Sequence, residues 1–326
     1  MHQVARLAGL SHQTVSRYLQ NNDALKAANR QRVEAAIQEL GYRPNLVARS
    51  MRTRRTGRLA ILIPPPSSYS PTRMLAGAVQ MAHAAGYASE VVSLEGGAEA
   101  RTQRMLELAD SGQVEGILSL APLAPTSEEA VAGRAALVVS GDYDDDMRAI
   151  GELADSSPVA DLIEQLAAQG HRRFLHVAGS QQFASARGRK QVYLDTIERL
   201  GLESAGVYDG DWSAESGIEA ITQLPNNSGV TAVIAGNDLV AAGVIRGALN
   251  RGWQVPGDIT VTGWDNNPLG AYLNPTLTTV DVNHEELGRR AMRRLVTAVG
   301  GSLPEPAANT PLNTIVWRDS TNTPRW

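Results

Sequence analysis

Polar side chains that could read DNA bases cluster in one short stretch near the N-terminus. Our candidates for DNA contact there are Ser11, His12, Gln13, Thr14, Ser16 and Arg17. Their hydroxyl, imidazole, amide and guanidinium groups are the donors and acceptors that pair with base edges in a major groove. An ordinary amphipathic helix with a solvated polar face is the alternative, and these residues alone leave both open.

The helices that position these groups are indicated by apolar residues at helical spacing. The spacing runs through residues 4–19 and breaks at 9–11, where Gly9 permits a tight turn and Ser11 can cap a second helix. Such a pair is a helix-turn-helix. A further apolar pattern over residues 29–40 stops at Gly41 and predicts a third helix, which would close a small all-α headpiece.

Charge is divided sharply along the chain. Residues 1–58 hold eleven Lys and Arg against three acidic residues, a net charge of +8, whereas the whole chain carries −4 and the remainder therefore −12. Because Lys and Arg contacts to phosphate dominate affinity for nucleic acid, a basic head on an acidic body predicts that only the head meets DNA. A merely solvated charge run is the alternative.

A basic segment over residues 43–58 follows the headpiece. Pro44 can start a short helix there, which would order only against a partner because so short a helix is marginal in water. Across a dimer axis, Met51 could wedge between base steps from the minor groove while arginines hold phosphates. The predicted DNA contacts in this segment are Asn45, Ala48, Met51 and Arg52. A flexible basic linker accounts for the composition at least as well.

From residue 59 onward, short apolar runs alternate with amphipathic stretches. The predicted strands are 59–63, 90–94, 116–120, 136–141, 174–179, 230–236 and 259–264, and the predicted helices are 73–85, 99–111, 157–169, 187–200, 213–223 and 238–251. Continuously apolar strands separated by helices indicate buried parallel sheet with right-handed crossovers. The strands are too many for one sheet, so we predict an α/β core of two doubly wound parallel-sheet lobes that divide near residues 152–157.

Polar groups follow several predicted strands, at the edge where ligands of such sheets bind. The candidates are Asp155, Arg187, Trp212, Asn237 and Asp265. Arg and carboxylate groups can grip vicinal hydroxyls in pairs, and an indole can stack on the apolar face of a sugar, so these residues predict a polyhydroxyl ligand. Each has a structural alternative: Trp212, for instance, precedes a helix that Ser213 can cap. We expect Asp238 to be a helix N-cap rather than a ligand contact.

Composition and motifs argue against several classes of protein. The 326-residue chain has no cysteine, which excludes disulfides and thiolate metal sites. No apolar run has the length of a signal peptide or a membrane span, so we expect a cytoplasmic protein. A P-loop, an H-E-x-x-H motif and a G-x-S-x-G elbow are missing, and the six histidines are scattered. We therefore predict no enzyme, no cofactor and no metal site.

Taken together, the motifs resemble the lactose/galactose repressor family of bacterial transcription regulators. The segments that carry the similarity are VARLAGLSHQTVSRYL, ELGYRPNLVARSMRT, QGHRRFLHVAG, SARGR, GNDLVAAG and ITVTGWDN, in this order. The resemblance implies a headpiece at 1–43, a hinge helix and linker at 44–57, and a core at 58–326 similar to periplasmic sugar-binding proteins. It also implies two lobes, the first comprising 58–154 plus 284–308 and the second 155–283 plus 309–326.

The resemblance implies roles for individual residues as well. The positions that match base-reading residues of the family are His12, Gln13 and Arg17, and Met51 falls where the family usually has an intercalating leucine. The positions that match its effector pocket are Arg187, Trp212, Asn237 and Asp265. The tryptophan in that setting favours a galactoside-type effector.

We therefore expect a homodimeric repressor that a sugar releases from pseudo-palindromic operator DNA. The chain ends without a heptad tail, which favours a dimer over a tetramer. The alternatives are a sugar-binding module of a transport system, a sugar-processing enzyme, and a regulator with a non-sugar effector. The basic headpiece argues against the first of these, and the missing catalytic grouping argues against the second.

Overall fold

The structure is a computed structural model of the chain. It describes residues 1–20, 26–42, 55–64, 72–144, 146, 148–303 and 310–321. The chain divides into two compact units, Met1–Gly57 and Arg58–Trp326. Each unit has hydrophobic core clusters of its own.

The first unit is helical. It consists of α1 (His2–Ala8), α2 (His12–Gln20) and α3 (Ala27–Leu40). The apolar residues that repeat at helical spacing face inward, and Val4, Val15 and Val33 are completely buried between the three helices. The predicted helix-turn-helix and the predicted third helix are therefore confirmed.

The turn between α1 and α2 is formed as its residue types require. Gly9 ends α1 at φ 60°, in the left-handed region that glycine enters without a steric penalty. The Ser11 hydroxyl then accepts a hydrogen bond from the Thr14 backbone N–H at 3.1 Å, which satisfies one free donor at the start of α2. The predicted capping role of Ser11 is confirmed.

The second unit contains two sheets, of which the first has four strands. These are β1 (Arg58–Ile63), β2 (Ala88–Ser93), β3 (Gly116–Ser119) and β4 (Ala136–Val139), in the spatial order β2-β1-β3-β4. All neighbours pair in parallel. The connecting helices are α4 (Thr72–Ala84), α5 (Ala98–Asp110) and α6 (Ser127–Val131). Buried side chains on both faces of the central strands β1 and β3 explain why these two are continuously apolar.

The second sheet has six strands. These are β5 (Arg173–Ala178), β6 (Glu203–Asp209), β7 (Ala232–Ala235), β8 (Thr260–Trp264), β9 (Thr278–Val282) and β10 (Asn313–Val316), in the order β10-β9-β8-β7-β5-β6. All pairs are parallel except that between β9 and β10. The helices are α7 (Pro158–Ala168) and α8 (Ala184–Arg199), which cover one face, and α9 (Ala214–Gln223) and α10 (Asp238–Asn250), which cover the other.

Three strands of the six-stranded sheet were missed in the sequence pattern. The edge strands β6 and β10 are largely exposed or half-buried, and β9 is rich in threonine, so none of the three has a continuous apolar run. A last helix, α11 (His284–Ala298), follows β9 and packs against α4 and the four-stranded sheet. The chain thus crosses between the sheets after β4, after β9 and again after α11.

The return of the chain to the four-stranded sheet depends on two glycines. A Cβ atom at Gly77 of α4 would collide with the backbone carbonyl of Glu285, and one at Gly288 of α11 would collide with that of Met74. The two helices therefore touch backbone to backbone, an approach that only glycine permits. This close contact anchors α11 to α4.

One arginine of α11 links the first crossing to the third. The Arg290 guanidinium donates to the Glu152 carboxylate at 3.2 Å, to the Thr310 carbonyl at 3.1 Å and to the Glu286 carboxylate at 3.2 Å. Glu152 belongs to the first crossing, Glu286 follows the second and Thr310 lies in the third. Arg290 is thus positioned to couple the segments about which the two sheets could move.

Candidate functional sites

The predicted DNA-reading residues extend from Ser11, directly before α2, to Arg17 within it. Gln13 and Arg17 are exposed, whereas His12 and Ser16 are partly buried. The hydroxyls of Ser11 and Thr14 lie 2.8 Å apart and pair with each other at the start of the helix. The arrangement therefore leaves Gln13 and Arg17 as the long polar side chains most accessible to a partner, with His12 beside them.

The predicted contacts of the basic segment are Asn45, Ala48, Met51 and Arg52, and all four lie outside the described residues. Their role stays a prediction from the sequence.

The carboxyl edge of the six-stranded sheet gathers most of the remaining candidates. We call this edge the carboxyl-edge site; it comprises residues 179–183, 210–213, 236–238 and 264–267 together with Arg189 of α8. Among the described residues, the non-glycine residues with positive φ are Trp212 at 73°, Asp265 at 97° and Asn266 at 49°. All three belong to this site. Such conformations cost free energy and concentrate where function requires a particular backbone.

Trp212 is held in place by its surroundings. Its six-membered ring lies against the backbone of Gly179, where any side chain would collide with it, and the Phe183 ring meets it edge to face at 5.6 Å. The indole Nε1 is buried and has no hydrogen-bond partner among the described residues. The next residue, Ser213, caps α9 by accepting from the Ser216 backbone N–H at 3.2 Å, as the sequence predicts. The backbone strain and the fixed ring set Trp212 apart from an ordinary residue before a capped helix.

The structure places the two arginines of the SARGR segment differently from our expectation. Arg187 is exposed, and its guanidinium donates to the backbone carbonyls of Gln181 at 2.7 Å and Gln182 at 3.0 Å. Arg189 is the buried one, at 7% exposure. Because α8 turns by about 200° over two residues, the two side chains leave the helix on opposite faces.

Arg189, and not the predicted Arg187, lies among the aromatic residues of the carboxyl-edge site. Its guanidinium carbon lies 4.0 Å from the centre of the Trp264 ring and 5.6 Å from that of Trp212, and its Nη1 donates to the Gly236 carbonyl. Cation–π contacts of this kind are strengthened when the groups are desolvated. The sequence analysis missed both Arg189 and Trp264; Arg189 stands in the quoted SARGR motif, and Trp264 stands directly before the candidate Asp265.

The expected cap of α10 is corrected by one position. Asn237, not Asp238, is the N-cap, because its side-chain oxygen accepts from the Val240 backbone N–H at 2.8 Å. Asp238 is buried and accepts from the Thr279 hydroxyl at 2.5 Å and the Asn267 backbone N–H at 2.5 Å. Burial raises the pKa of the Asp238 carboxyl, while these hydrogen bonds act in the opposite direction. Asp238 thus ties the loop after β8 to the start of α10.

Asp155 lies in the first crossing and is exposed. Its carboxylate accepts from the Ser157 backbone N–H at 3.0 Å, from the Ser157 hydroxyl at 3.1 Å and from the Asn313 amide at 2.9 Å. These contacts join the first crossing to the start of β10. Asp155 therefore has a structural role whether or not it also touches a ligand.

The described residues lack two other kinds of functional feature. No group of three or more His, Cys, Asp or Glu side chains within the described part of the chain could hold a metal ion. Within the same residues, we find no helix with the length and apolar character needed to cross a membrane.

Comparisons with known proteins agree with this two-part architecture. A family model described as bacterial regulatory proteins, lacI family, matches residues 1–45, and one described as periplasmic binding protein-like domain matches residues 163–321. The ribose operon repressor of Escherichia coli (strain K12) is 31% identical over 305 residues, 91% of this chain and 92% of that protein. The lactose operon repressor of the same organism is 30% identical over 311 residues, 91% of this chain and 83% of that protein.

Solved structures are similar over nearly the whole chain. The lac repressor dimer bound to operator and the anti-inducer ONPF has a TM-score of 0.67 and 27% identity, with 98% of both chains covered. A complex of the transcriptional regulator CelR with cellobiose has a TM-score of 0.59 and 25% identity, again with 98% of both chains covered.

A helix-turn-helix unit followed by a two-sheet core of the periplasmic-binding-protein type defines a class of DNA-binding transcription regulators. The chain belongs to the lacI family of bacterial regulatory proteins. It is a sequence-specific DNA-binding transcriptional regulator of that family. The family and the fold class predicted from the sequence are both confirmed.

Proposed function

We propose that this regulator is a repressor that binds pseudo-palindromic operator DNA as a homodimer and is released by a sugar bound at the carboxyl-edge site. The DNA-binding part rests on α2, whose exposed Gln13 and Arg17 follow a capped N-terminus, and on the +8 charge of residues 1–58. We place the headpiece at 1–43, the hinge at 44–57 and the core at 58–326. A repressor that acts on bacterial DNA works in the cytoplasm, where we expect this protein.

The sugar is supported by the chemistry of the carboxyl-edge site. The buried Arg189 guanidinium and the Asn237 amide supply donors, Asp265 supplies acceptors, and the Trp212 indole offers a flat apolar face. A pyranose or furanose ring presents this combination of hydroxyls and an apolar face. The observation that carries the proposal is that the buried Arg189 lies against Trp264 and near Trp212 at the sheet edge that also holds the strained residues Trp212 and Asp265.

Arg189 therefore replaces Arg187 in the proposed effector site. The full set of proposed contacts is Asp155, Arg189, Trp212, Asn237 and Asp265. A galactoside remains our predicted effector because of Trp212, although similar proteins include a ribose operon repressor and a regulator solved with cellobiose. Sugars of all three kinds belong in the test.

Release would follow from a change in the relative angle of the two sheets. A sugar that binds one arrangement better shifts the equilibrium by its differential affinity, typically about 1–3 kcal/mol of coupling. The hinge helices of a dimer would then no longer pack over the minor groove, and operator affinity would fall. The homodimer is supported by the exposed apolar side chains of Leu269 and Tyr272, which could form an interface between copies of the chain. Sedimentation of the protein should then give twice the mass of one chain.

The test is a gel-shift with the DNA upstream of the protein's own gene, titrated with galactosides, ribose and cellobiose. Wild-type protein should bind this DNA specifically, and one of the sugars should release it and change the tryptophan fluorescence. Arg189→Ala should keep DNA binding but lose the response, because removing the guanidinium leaves buried acceptors unpaired. Arg187→Ala is the matched control, two residues away on the same helix, and should respond like the wild type.

The outcomes separate the parts of the proposal. Failure of every sugar to release the DNA would overturn the sugar assignment. A normal response from Arg189→Ala together with loss in Arg187→Ala would overturn the revised site. Sugar binding without sequence-specific DNA binding would instead indicate a binding module.

A further inference from the structure

Two histidine rings stack on each other in the helix-turn-helix. The ring of His2, the first residue of α1, lies 4.4 Å from the ring of His12, the first residue of α2, with an angle of 24° between the planes. His2 is exposed and His12 is partly buried. The contact therefore joins the starts of the two helices on the surface of the first unit.

The packing below the rings explains why they meet. Val4 and Ala5 of α1 are buried with Val15 of α2, so the crossing of the two helices is set by a rigid core. The Ser11 cap and the left-handed turn at Gly9 determine where α2 begins. The relative position of the two first residues is consequently defined by the fold.

An imidazole that reads a base must be held in one orientation. Each ring presents nitrogens in its plane, one a donor and one an acceptor in the neutral form, whereas its face offers no such group. A free side chain on the surface samples several rotamers and loses that freedom on binding. A ring stacked on the face of His12 limits these rotamers and leaves its nitrogen-bearing edge available.

We propose that His2 is a positioning residue for His12, and that the stack sets the base preference at the position His12 reads. The N-terminal residues of a second helix in a helix-turn-helix are those that contact base edges. His2 would act through the orientation of the His12 ring rather than through a base contact of its own. This inference rests on the proposed binding of operator DNA.

The experiment can be done before the operator sequence has been identified. A pool of random-sequence DNA duplexes is selected on the full-length wild-type protein, and affinities are then measured for the preferred sequence and for each of its single-base variants. The proteins compared are wild type, His2→Ala, His2→Phe, His12→Ala, the His2→Ala/His12→Ala double variant, and Gln3→Ala. Gln3 is the exposed neighbour of His2 on α1 and serves as the matched control.

His2→Ala should weaken binding to the preferred sequence about three- to tenfold, the range that aromatic stacking energies imply. In each half-site, His2→Ala should reduce the difference in affinity among the four bases at one base pair only. This should be the same base pair at which His12→Ala reduces it. His2→Phe keeps a ring face and should restore most of the preference. The double variant should match His12→Ala alone, because the effect of His2 passes through His12. Gln3→Ala and binding to unrelated DNA should be unchanged.

Several results would overturn the inference. Losses that add in the double variant, or flattening at a different base pair, would show that His2 contacts DNA independently. Uniform weakening on all sequences with a smaller salt slope would identify His2 as a phosphate contact. His2 would have a purely structural role if His2→Ala lowered the melting temperature of the first unit, His2→Phe did not, and the base preference of His2→Ala were lost at every position of the site. If wild-type protein selects no sequence from the pool, the proposed function itself fails.

Discussion

The guanidinium of Arg189 lies over the ring of a buried tryptophan, with its carbon 4.0 Å from the centre of the Trp264 ring. Trp264 is only 2% exposed and belongs to the core cluster beneath α7 and α8. Its contact with a ligand would therefore be indirect. The indole instead determines where the Arg189 donors point, which makes Trp264 a positioning residue of the proposed effector site.

Replacement of Trp264 should weaken the sugar response in proportion to the ring face that is lost. We expect Trp264→Phe to raise the sugar concentration for half-release of DNA about threefold and Trp264→Leu about tenfold, in line with a cation–π contribution of about 0.5–2 kcal/mol. Both variants also lose core packing, with a cost of roughly 3 kcal/mol for leucine. Phe174→Leu in the same core controls for destabilisation and should leave the half-release concentration unchanged; equal effects would contradict the positioning role.

Because the backbone of Asp265 is left-handed, two variants of this residue should differ in their free energy of unfolding while both lose the response to sugar. Asp265→Ala and Asp265→Gly both remove the carboxylate, so both should lose the sugar response. Because φ is 97° at this residue, glycine relieves strain that alanine retains, and the glycine variant should unfold with a free energy about 1 kcal/mol higher than the alanine variant. Thermal unfolding of the two proteins measures the difference. Identical melting temperatures would refute the argument from strain.

Acid should destabilise the core through a buried histidine. His176 is fully buried, its ring stacks on Tyr193 at 5.2 Å, and its Nδ1 pairs with the Ile234 carbonyl at 2.8 Å. Desolvation lowers the pKa of His176 to about 4. The unfolded chain therefore binds the proton first, and stability should fall as the pH drops from about 6.5 to about 4, with roughly 3 kcal/mol coming from His176.

Denaturant unfolding between pH 7 and pH 4 checks this prediction. His176→Gln should flatten the pH dependence, whereas replacement of the exposed His83 by glutamine should leave it as in the wild type. Burial also lowers the pKa of His284 to about 4, so a smaller slope of the same sign should persist in His176→Gln. A slope that is the same in all three proteins would mean that other groups dominate.

The three contacts of Arg290 predict a change in coupling rather than in binding. Arg290→Gln removes the link between the crossings at Glu152 and Thr310, while the carboxyl-edge site stays intact. The ratio of operator affinities without and with sugar gives the coupling free energy, which we expect to change by about 0.5–2 kcal/mol. The affinity of the DNA-free protein for sugar should change less than twofold. Arg289→Gln, its neighbour on α11 with contacts to Gln80 and Glu286, is the control. An unaltered ratio in Arg290→Gln would remove the crossings from the proposed transmission.

DNA binding should depend steeply on salt. Each phosphate that Lys or Arg neutralises releases counterion, and the first 58 residues carry a charge of +8. The exposed Arg17 should matter in a different way, because Arg17→Ala should cost about 1–3 kcal/mol and relax sequence preference as well as affinity. Gel-shifts from 50 mM to 200 mM salt test both statements. A flat salt response would count against the electrostatic part of the proposal.

Local patterns in the sequence were sufficient for most of the elements and for the order in which these follow one another. The period of apolar residues recovered α1, α2 and α3 because their buried faces depend on neighbours three and four residues away. The same holds for the strands β1, β3, β5, β7 and β8, whose burial on both faces produces continuous apolar runs. The position of most candidate residues at strand ends could be predicted as well, because the end of a strand is visible in the local sequence.

Tertiary structure alone decided which of these residues meet. Arg187 and Arg189 are chemically identical in the sequence, and only the rotation of α8 against the sheet, about 200° between the two, buries one and exposes the other. Asn237 caps α10 because Asp238 is drawn into hydrogen bonds with Thr279 and Asn267, which are about 30 to 40 residues away. The strands β9 and β10 are paired by the same kind of long-range contact. The period of apolar residues reflects contacts between residues close along the chain. Which arginine is buried, which residue caps α10 and which strands pair depend on contacts between residues that are distant in sequence and close in space.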